Sequence, residues 1–239
     1  MNTEEKFNKI YLTGAIASVI VICLTLLDII FGSISGGDLL MIPQLAVDKF
    51  TQLQENKLIG LYNLDLLNLI VSVIMIPVFL ALYFALKNED NSFAMLALII
   101  FSIGTTVFIA NNAALPMLDL NQKYNAATTE DQSAFFAAAG EALISKGAHG
   151  SIGAFPGFIL ITLSELIISL IMLQTRIFTK ATAYIGLSGI TLLFIYLILV
   201  TFVPSAKVFA MLLAAPGGIL SIVWMVLYTQ KLFHLAKYK

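Results

Sequence analysis

Apolar residues in this chain fall into six long runs, and polar residues gather between them. The runs cover residues 10–31, 58–86, 93–114, 150–173, 181–203 and 208–232. Each approaches the ~20 residues that a helix needs to cross a hydrocarbon core roughly 30 Å thick. They are continuously apolar, whereas barrel strands are about 10 residues long and alternate. A helix is then the way such a segment satisfies its backbone in lipid. The pattern predicts an all-α, polytopic transmembrane bundle, one unit over residues 1–239. Composition agrees: 59% hydrophobic, 11% charged, mean hydropathy +0.95.

The connections differ in length. Residues 87–92 and 174–180 make short turns on one side of the membrane, while 32–57 and 115–149 make long loops on the other. Within 44–56, Ala46, Phe50 and Leu53 share one helical face, with Asp48, Lys49, Gln52 and Glu55 elsewhere. That predicts an amphipathic helix on the membrane surface. In the second loop, Thr129-Glu130-Asp131-Gln132 reads as a capping box with acids in the first turn. Phe135, Phe136, Ala139, Ala142 and Leu143 follow at helical spacing, and Lys146-Gly147 closes the element. Two amphipathic helices are therefore expected over one face of the bundle.

Charge sets an expected orientation. With the N-terminus inside, the inner side carries Lys6, Lys9, Lys87, Arg176, Lys180, Lys231, Lys237 and Lys239; the outer side carries Lys49, Lys57, Lys123, Lys146 and Lys207. The positive-inside rule places both termini in the cytoplasm and the long loops outside. The first run is too long for a signal-peptide core and is read as a retained helix. The net charge of -1 gives no basic surface for nucleic acid. Cys23 is the only cysteine, so no disulfide can form within the chain. The two halves do not match as an inverted repeat: Pro77 lies in the second run, Pro156 and Pro216 in the fourth and sixth.

Polar residues inside spanning segments are costly and point to function. At a rise of 1.5 Å per residue, Asp28, Asn68, Asp65 and Asn111 lie roughly 26–33 Å from the inner ends of their helices, and His149 about 40 Å. Together with Asn63 and Asn112 they form one outer layer. Stripes at steps of three and four support it: Gly14, Ser18, Val21, Thr25, Asp28 and Gly32 on the first helix; Leu61, Asp65, Asn68 and Ser72 on the second; His149, Gly153, Gly157 and Ser164 on the fourth. Glu165 stands apart, roughly 16 Å inside the membrane, with Ser102, Ser188 and Ser221 at comparable depth as possible partners. It is expected to be a buried proton or ligand site. Pro156-Gly157 and Pro216-Gly217-Gly218 suggest breaks or kinks, and Trp224, Tyr228 and Phe233 suggest anchors in the inner interface belt.

Several chemistries are missing. There is no phosphate-binding glycine loop, no His-Glu-x-x-His and no Gly-x-Ser-x-Gly elbow. Only two histidines occur, so a three-histidine zinc site is excluded, and no metal or cofactor is expected.

The second run closes on Leu80-Ala81-Leu82-Tyr83-Phe84-Ala85-Leu86, His149 opens the fourth, and Pro216-Gly217-Gly218 precedes Trp224 in the sixth. In these features and in its layout the chain resembles an uncharacterised family of bacterial six-helix membrane proteins, a domain of unknown function. That resemblance implies a bacterial cytoplasmic membrane and carries no activity or site residues. The functional expectation from the residues is a protein that binds or translocates a small or lipidic ligand through an outward-facing polar pocket. Asp28, Asn63, Asp65, Asn68, Asn111, Asn112 and His149 would line that pocket, and Glu165 would lie below it. The alternatives are an enzyme acting on a lipid or headgroup, with His149 as base oriented by Asp65 or Asp28, and a helper or sensor acting through a partner protein.

Overall fold

The computed structural model describes residues 3–34, 45–148 and 150–238. Among these, ten α-helices and no strand are formed: α1 (Thr3–Ile34), α2 (Ala46–Glu55), α3 (Lys57–Tyr62), α4 (Leu66–Leu86), α5 (Asn91–Asn111), α6 (Ala114–Ala126), α7 (Glu130–Gly147), α8 (Phe155–Gln174), α9 (Lys180–Phe202) and α10 (Lys207–Tyr238). Helices α1, α4, α5, α8, α9 and α10 supply the six segments long and apolar enough to cross a membrane. This is a multipass membrane protein. Six crossings bring the start of α1 and the end of α10 to the same side.

The spans pack in chain order into a closed ring: α1 on α4, α4 on α5, α5 on α8, α8 on α9, α9 on α10, and α10 back on α1. Weaker contacts of α4 with α8 and α10 run across the ring. Because lipid tails are as apolar as leucine, packing fit holds such helices together. Small residues provide it. A Cβ at Gly14 would overlap the Ala81 methyl on α4, and Gly104 and Gly157 let the α5 and α8 backbones meet. Phe79 and Phe101 stack at 3.8 Å between α4 and α5. The outer surfaces of the ring keep large aliphatic side chains such as Ile16, Ile99 and Leu170 exposed, as a lipid-facing surface requires.

The four short helices form a cap over the ring end that lies opposite the start of α1. The cap has its own core of Ala46, Phe50, Leu53, Leu61, Leu64, Ala113, Ala114 and Met117. Glu141 on α7 accepts from the Ala46 N–H at 2.6 Å, placing a carboxylate at the N-terminus of α2. Gln54 on α2 donates to Asn125 on α6. Thr129 caps α7 through the Gln132 N–H at 3.3 Å, while the Gln132 side chain reaches back to Thr128.

Three boundaries differ from those expected. The second run is broken: Asn56 caps α3 by accepting from Leu58 and Ile59, and the chain turns at Asn63–Asp65 before α4 begins. Residues 58–64 therefore belong to the cap. The third run ends at Asn111, and Ala114 opens a separate cap helix, α6. The fourth begins at Phe155 with Pro156 in its first turn, where proline starts a helix instead of breaking one. Lys49, expected on the polar face of α2, is buried. The cap thus has four helices where two were expected. Residues 35–44 and His149 lie outside the described residues.

Candidate functional site

The polar layer expected from the sequence lies at the seam between cap and ring. Asp65 sits at φ 62°, in the left-handed region, at the turn that ends α3 and starts α4. Asn112 occupies the matching break between α5 and α6. Its Nδ2 faces the carbonyls of Leu64 and Asp65 at 3.4 and 3.2 Å, and its Oδ1 accepts from the Ala114 N–H at 3.0 Å. Two chain breaks are thereby tied by one side chain. Asn68 donates to Asp65 Oδ1 at 3.0 Å, Asn63 to Gln52 at 3.1 Å, and Asn111 to the Gly153 carbonyl at 2.8 Å. Each of these amides satisfies backbone or side-chain groups of the seam.

The seam is also charged. Lys49 lies within electrostatic reach of Asp65. Desolvation lowers its pKa below the ordinary value of 10.5, and the Asp65 charge partly opposes that shift. The Tyr62 hydroxyl donates to the Asp28 carbonyl at 3.0 Å. Its pKa is pushed up, first by burial and then by the charges of Asp28 and Asp65 and a hydrogen bond to Asp28. Tyr62 thus brings Asp28 and Asp65 to one place. Beside it, α1, α3 and α4 enclose an apolar crevice of about 230 Å³, walled by Phe31, Leu58, Ile59, Tyr62, Leu66 and Ile70. A second crevice of about 310 Å³ opens at the other end of the ring, between Thr179 and Thr182 of the α9 start and Gln230, Lys231 and His234 of α10.

Glu165 lies away from the seam. Its side chain is half-buried. Two of the three serines expected beside it are placed otherwise: Ser102 and Ser188 are exposed on the lipid-facing surface, and Ser102 bonds the Leu98 carbonyl of its own helix, while Ser221 is half-buried where α10 meets Gly189 of α9. Tyr228 on α10 and Ser18 on α1 are buried in the ring, each 0% exposed, and Trp224 Nε1 donates to Met172 Sδ of α8 at 3.4 Å. Trp224 and Tyr228 are therefore core residues, 1% and 0% exposed, and not belt anchors. The i,i+4 spacing of the two rings on an otherwise aliphatic helix was the signal for this; proximity to the helix end obscured it. Among the described residues no cluster of three or more His, Cys, Asp or Glu could hold a metal ion.

Neither a curated protein nor a solved structure matches the chain. A family model does, over residues 20–227, from the middle of α1 to near the end of α10. The chain belongs to the family described as a domain of unknown function, DUF4386.

Proposed function

We propose that this protein binds a lipid or lipid-like amphiphile at the capped end of its ring. The apolar part of the ligand occupies the crevice between α1, α3 and α4, and its polar part meets the Asp28–Tyr62–Asp65 rim. The observation that carries this reading is an apolar-walled crevice lined by Tyr62, whose hydroxyl is held at the Asp28 carbonyl and lies within electrostatic reach of Asp28 and Asp65. Ligand sites commonly pair apolar walls with a few placed polar groups. A cavity of about 230 Å³ holds part of an acyl chain, not a whole lipid, so the rest of the tail lies along the ring surface.

The reading also places the cap outside a bacterial cytoplasmic membrane, both termini inside. The excess of Lys and Arg on the side of the short turns supports that orientation. Binding, and not passage through the ring, is the activity proposed, because the Asn amides of the polar layer are engaged in joining cap to spans.

Native mass spectrometry of gently extracted protein tests this. The expected result is a retained lipid-sized mass that Ile70→Trp, filling the crevice, removes. Leu170→Trp, on the exposed face of α8, should leave it in place. Equal retention in both variants and the wild type refutes the proposal.

A further inference from the structure

The crevice at the uncapped end of the ring, about 310 Å³ in volume, is walled by the α8–α9 turn, the first turn of α9 and the last turns of α10. The turn shapes one side. Thr175 accepts from the Ile177 N–H at 2.9 Å, and buried Phe178 anchors the turn in the ring core. Thr179 then opens α9 by accepting from the Thr182 N–H at 3.1 Å, and the two threonine hydroxyls share a hydrogen bond at 2.9 Å. Thr182 is buried and Thr179 exposed. A buried hydroxyl needs an acceptor for its proton, and the Thr179 oxygen supplies one. The proton of Thr179 is thereby left for a ligand. The other side comes from α10, where Leu227, Gln230, Lys231 and His234 share one helical face at steps of three and four.

The walls carry charge of one sign. Lys231 is half-buried and forms no hydrogen bond or ion pair among the described residues. From residue 166 to 239 the chain has no Asp or Glu, and at this end of the ring it presents Arg176, Lys180, Lys231 and Lys237. The acids on the same side belong to α1 and the α4–α5 turn: Glu4, Glu5, Glu89 and Asp90. In the ring, α1 lies on the opposite flank of α10 from α9, away from the crevice. The depth is that of lipid headgroups. The membrane segment of α10 ends at Lys237, so Lys231 lies roughly 9 Å inside that end. Its long side chain reaches the headgroup layer from there.

We propose that this crevice holds the phosphate of an anionic phospholipid. Lys231 supplies the charge, the Thr179 hydroxyl and the Gln230 amide supply neutral donors, and Ile177 and Leu227 flank the start of the acyl chains. Charge-assisted hydrogen bonds of this kind are the strong ones, and basic pockets between spans are a recurring means of holding acidic headgroups. Walls without a carboxylate give the ammonium of a zwitterionic headgroup nothing to pair with, so the site selects net negative charge. A phosphate can come from a lipid or from the free ion; the depth and the apolar flanks point to the lipid. This site and the crevice of the capped end lie at opposite ends of the ring, and neither reading rests on the other.

Native mass spectrometry of the full chain, titrated with phosphatidylglycerol or with phosphatidylcholine of the same acyl chains, tests the site. An Ile70→Trp background keeps the capped-end crevice filled, so the two lipid sites are read separately. Phosphatidylglycerol should bind about tenfold more tightly. Lys231→Gln should cut that preference about fivefold. Thr179→Asp keeps a capping oxygen for the Thr182 N–H but sets a negative charge in the crevice, and should abolish the preference; Thr179→Asn, with the same cap and no charge, should retain most of it. Lys123→Gln, exposed on the cap, should change nothing. If Lys231→Gln does not fold, the two Thr179 variants carry the test. Equal binding of the two lipids by the parent, or a preference that survives Thr179→Asp, overturns the proposal. Displacement of phosphatidylglycerol by millimolar inorganic phosphate overturns the lipid as occupant and assigns the crevice to the free ion.

Discussion

Replacing Asn112 with alanine removes the side chain that joins the α3–α4 turn to the α5–α6 break. The Ala114 N–H is buried and loses its acceptor at 3.0 Å, and the Leu64 and Asp65 carbonyls lose the donor they share. An orphaned buried N–H costs about 1–3 kcal/mol, and a shared long hydrogen bond about 1 kcal/mol. The seam should therefore weaken by about 2–4 kcal/mol. The loss falls on the cap, because the hydrogen-bond partners of the Asn112 side chain, at Leu64, Asp65 and Ala114, all lie at the seam. Cap opening in Asn112→Ala should then be about 30- to 700-fold more frequent, at tenfold per 1.4 kcal/mol. Hydrogen–deuterium exchange resolves this directly: peptides of α3 and α6 should exchange faster by that factor, and those of α9 and α10 at the wild-type rate. Asn112→Asp keeps the acceptor but sets a carboxylate oxygen against two carbonyls, and should give no rescue. Cap exchange within threefold of wild type, or a uniform rise over the whole chain, refutes the assignment of Asn112 as the tie between cap and ring.

Two further outcomes follow from the packing and charges. Gly14→Ala places a methyl group against that of Ala81; it should cost about 1–3 kcal/mol and lower the thermal midpoint in detergent, and Ala81→Gly in the same chain should recover much of the loss. A Gly14→Ala variant as stable as wild type would show that α1 and α4 do not meet there. Lys49 binds fewer protons in the folded cap than in the unfolded chain, because its pKa is lowered from 10.5. Cap stability should accordingly rise as pH climbs through the window just below 10.5, and Lys49→Met should flatten that rise. The raised Tyr62 pKa acts the other way, with stability lost only as pH rises beyond 10.0, so the two contributions separate in a Tyr62→Phe background. A wild-type cap whose exchange is independent of pH in that window, after correction for intrinsic rates, refutes the burial of Lys49.

Six crossings were legible because each needs only length and continuous hydropathy. The ends of the second and third were not, because residues 58–64 and 114–118 are nearly as apolar as the spans they adjoin. Leu61, Leu64, Ala114 and Met117 of these stretches bury with Phe50 in the cap core instead of facing lipid, a distinction that lies in tertiary packing. The face of α2 was legible down to Ala46, Phe50 and Leu53, yet Lys49 buries beside them because Asp65 of another element supplies its counter-charge. The outer polar layer was readable as a layer. The partners of Asn111 and Asn112 were not, since they are backbone carbonyls exposed by breaks 42 and 47–48 residues away in the chain. Glu165 stood out by depth alone, whereas Tyr228 required knowing that α10 returns to α1.

That return has a consequence for biosynthesis. Helices enter the membrane in order, and every neighbouring pair in the ring except α1 and α10 is also adjacent in the order of crossing. Until α10 arrives, α1 has one flank open. A nascent bundle of five spans is an open arc whose free edge on α1 is left to lipid, a state that invites retention by insertion machinery or removal by membrane proteases. The arrival of α10 closes the ring against α1 and buries Trp224 and Tyr228 between the spans, so the packing of the first helix is settled only after the other five crossings are made.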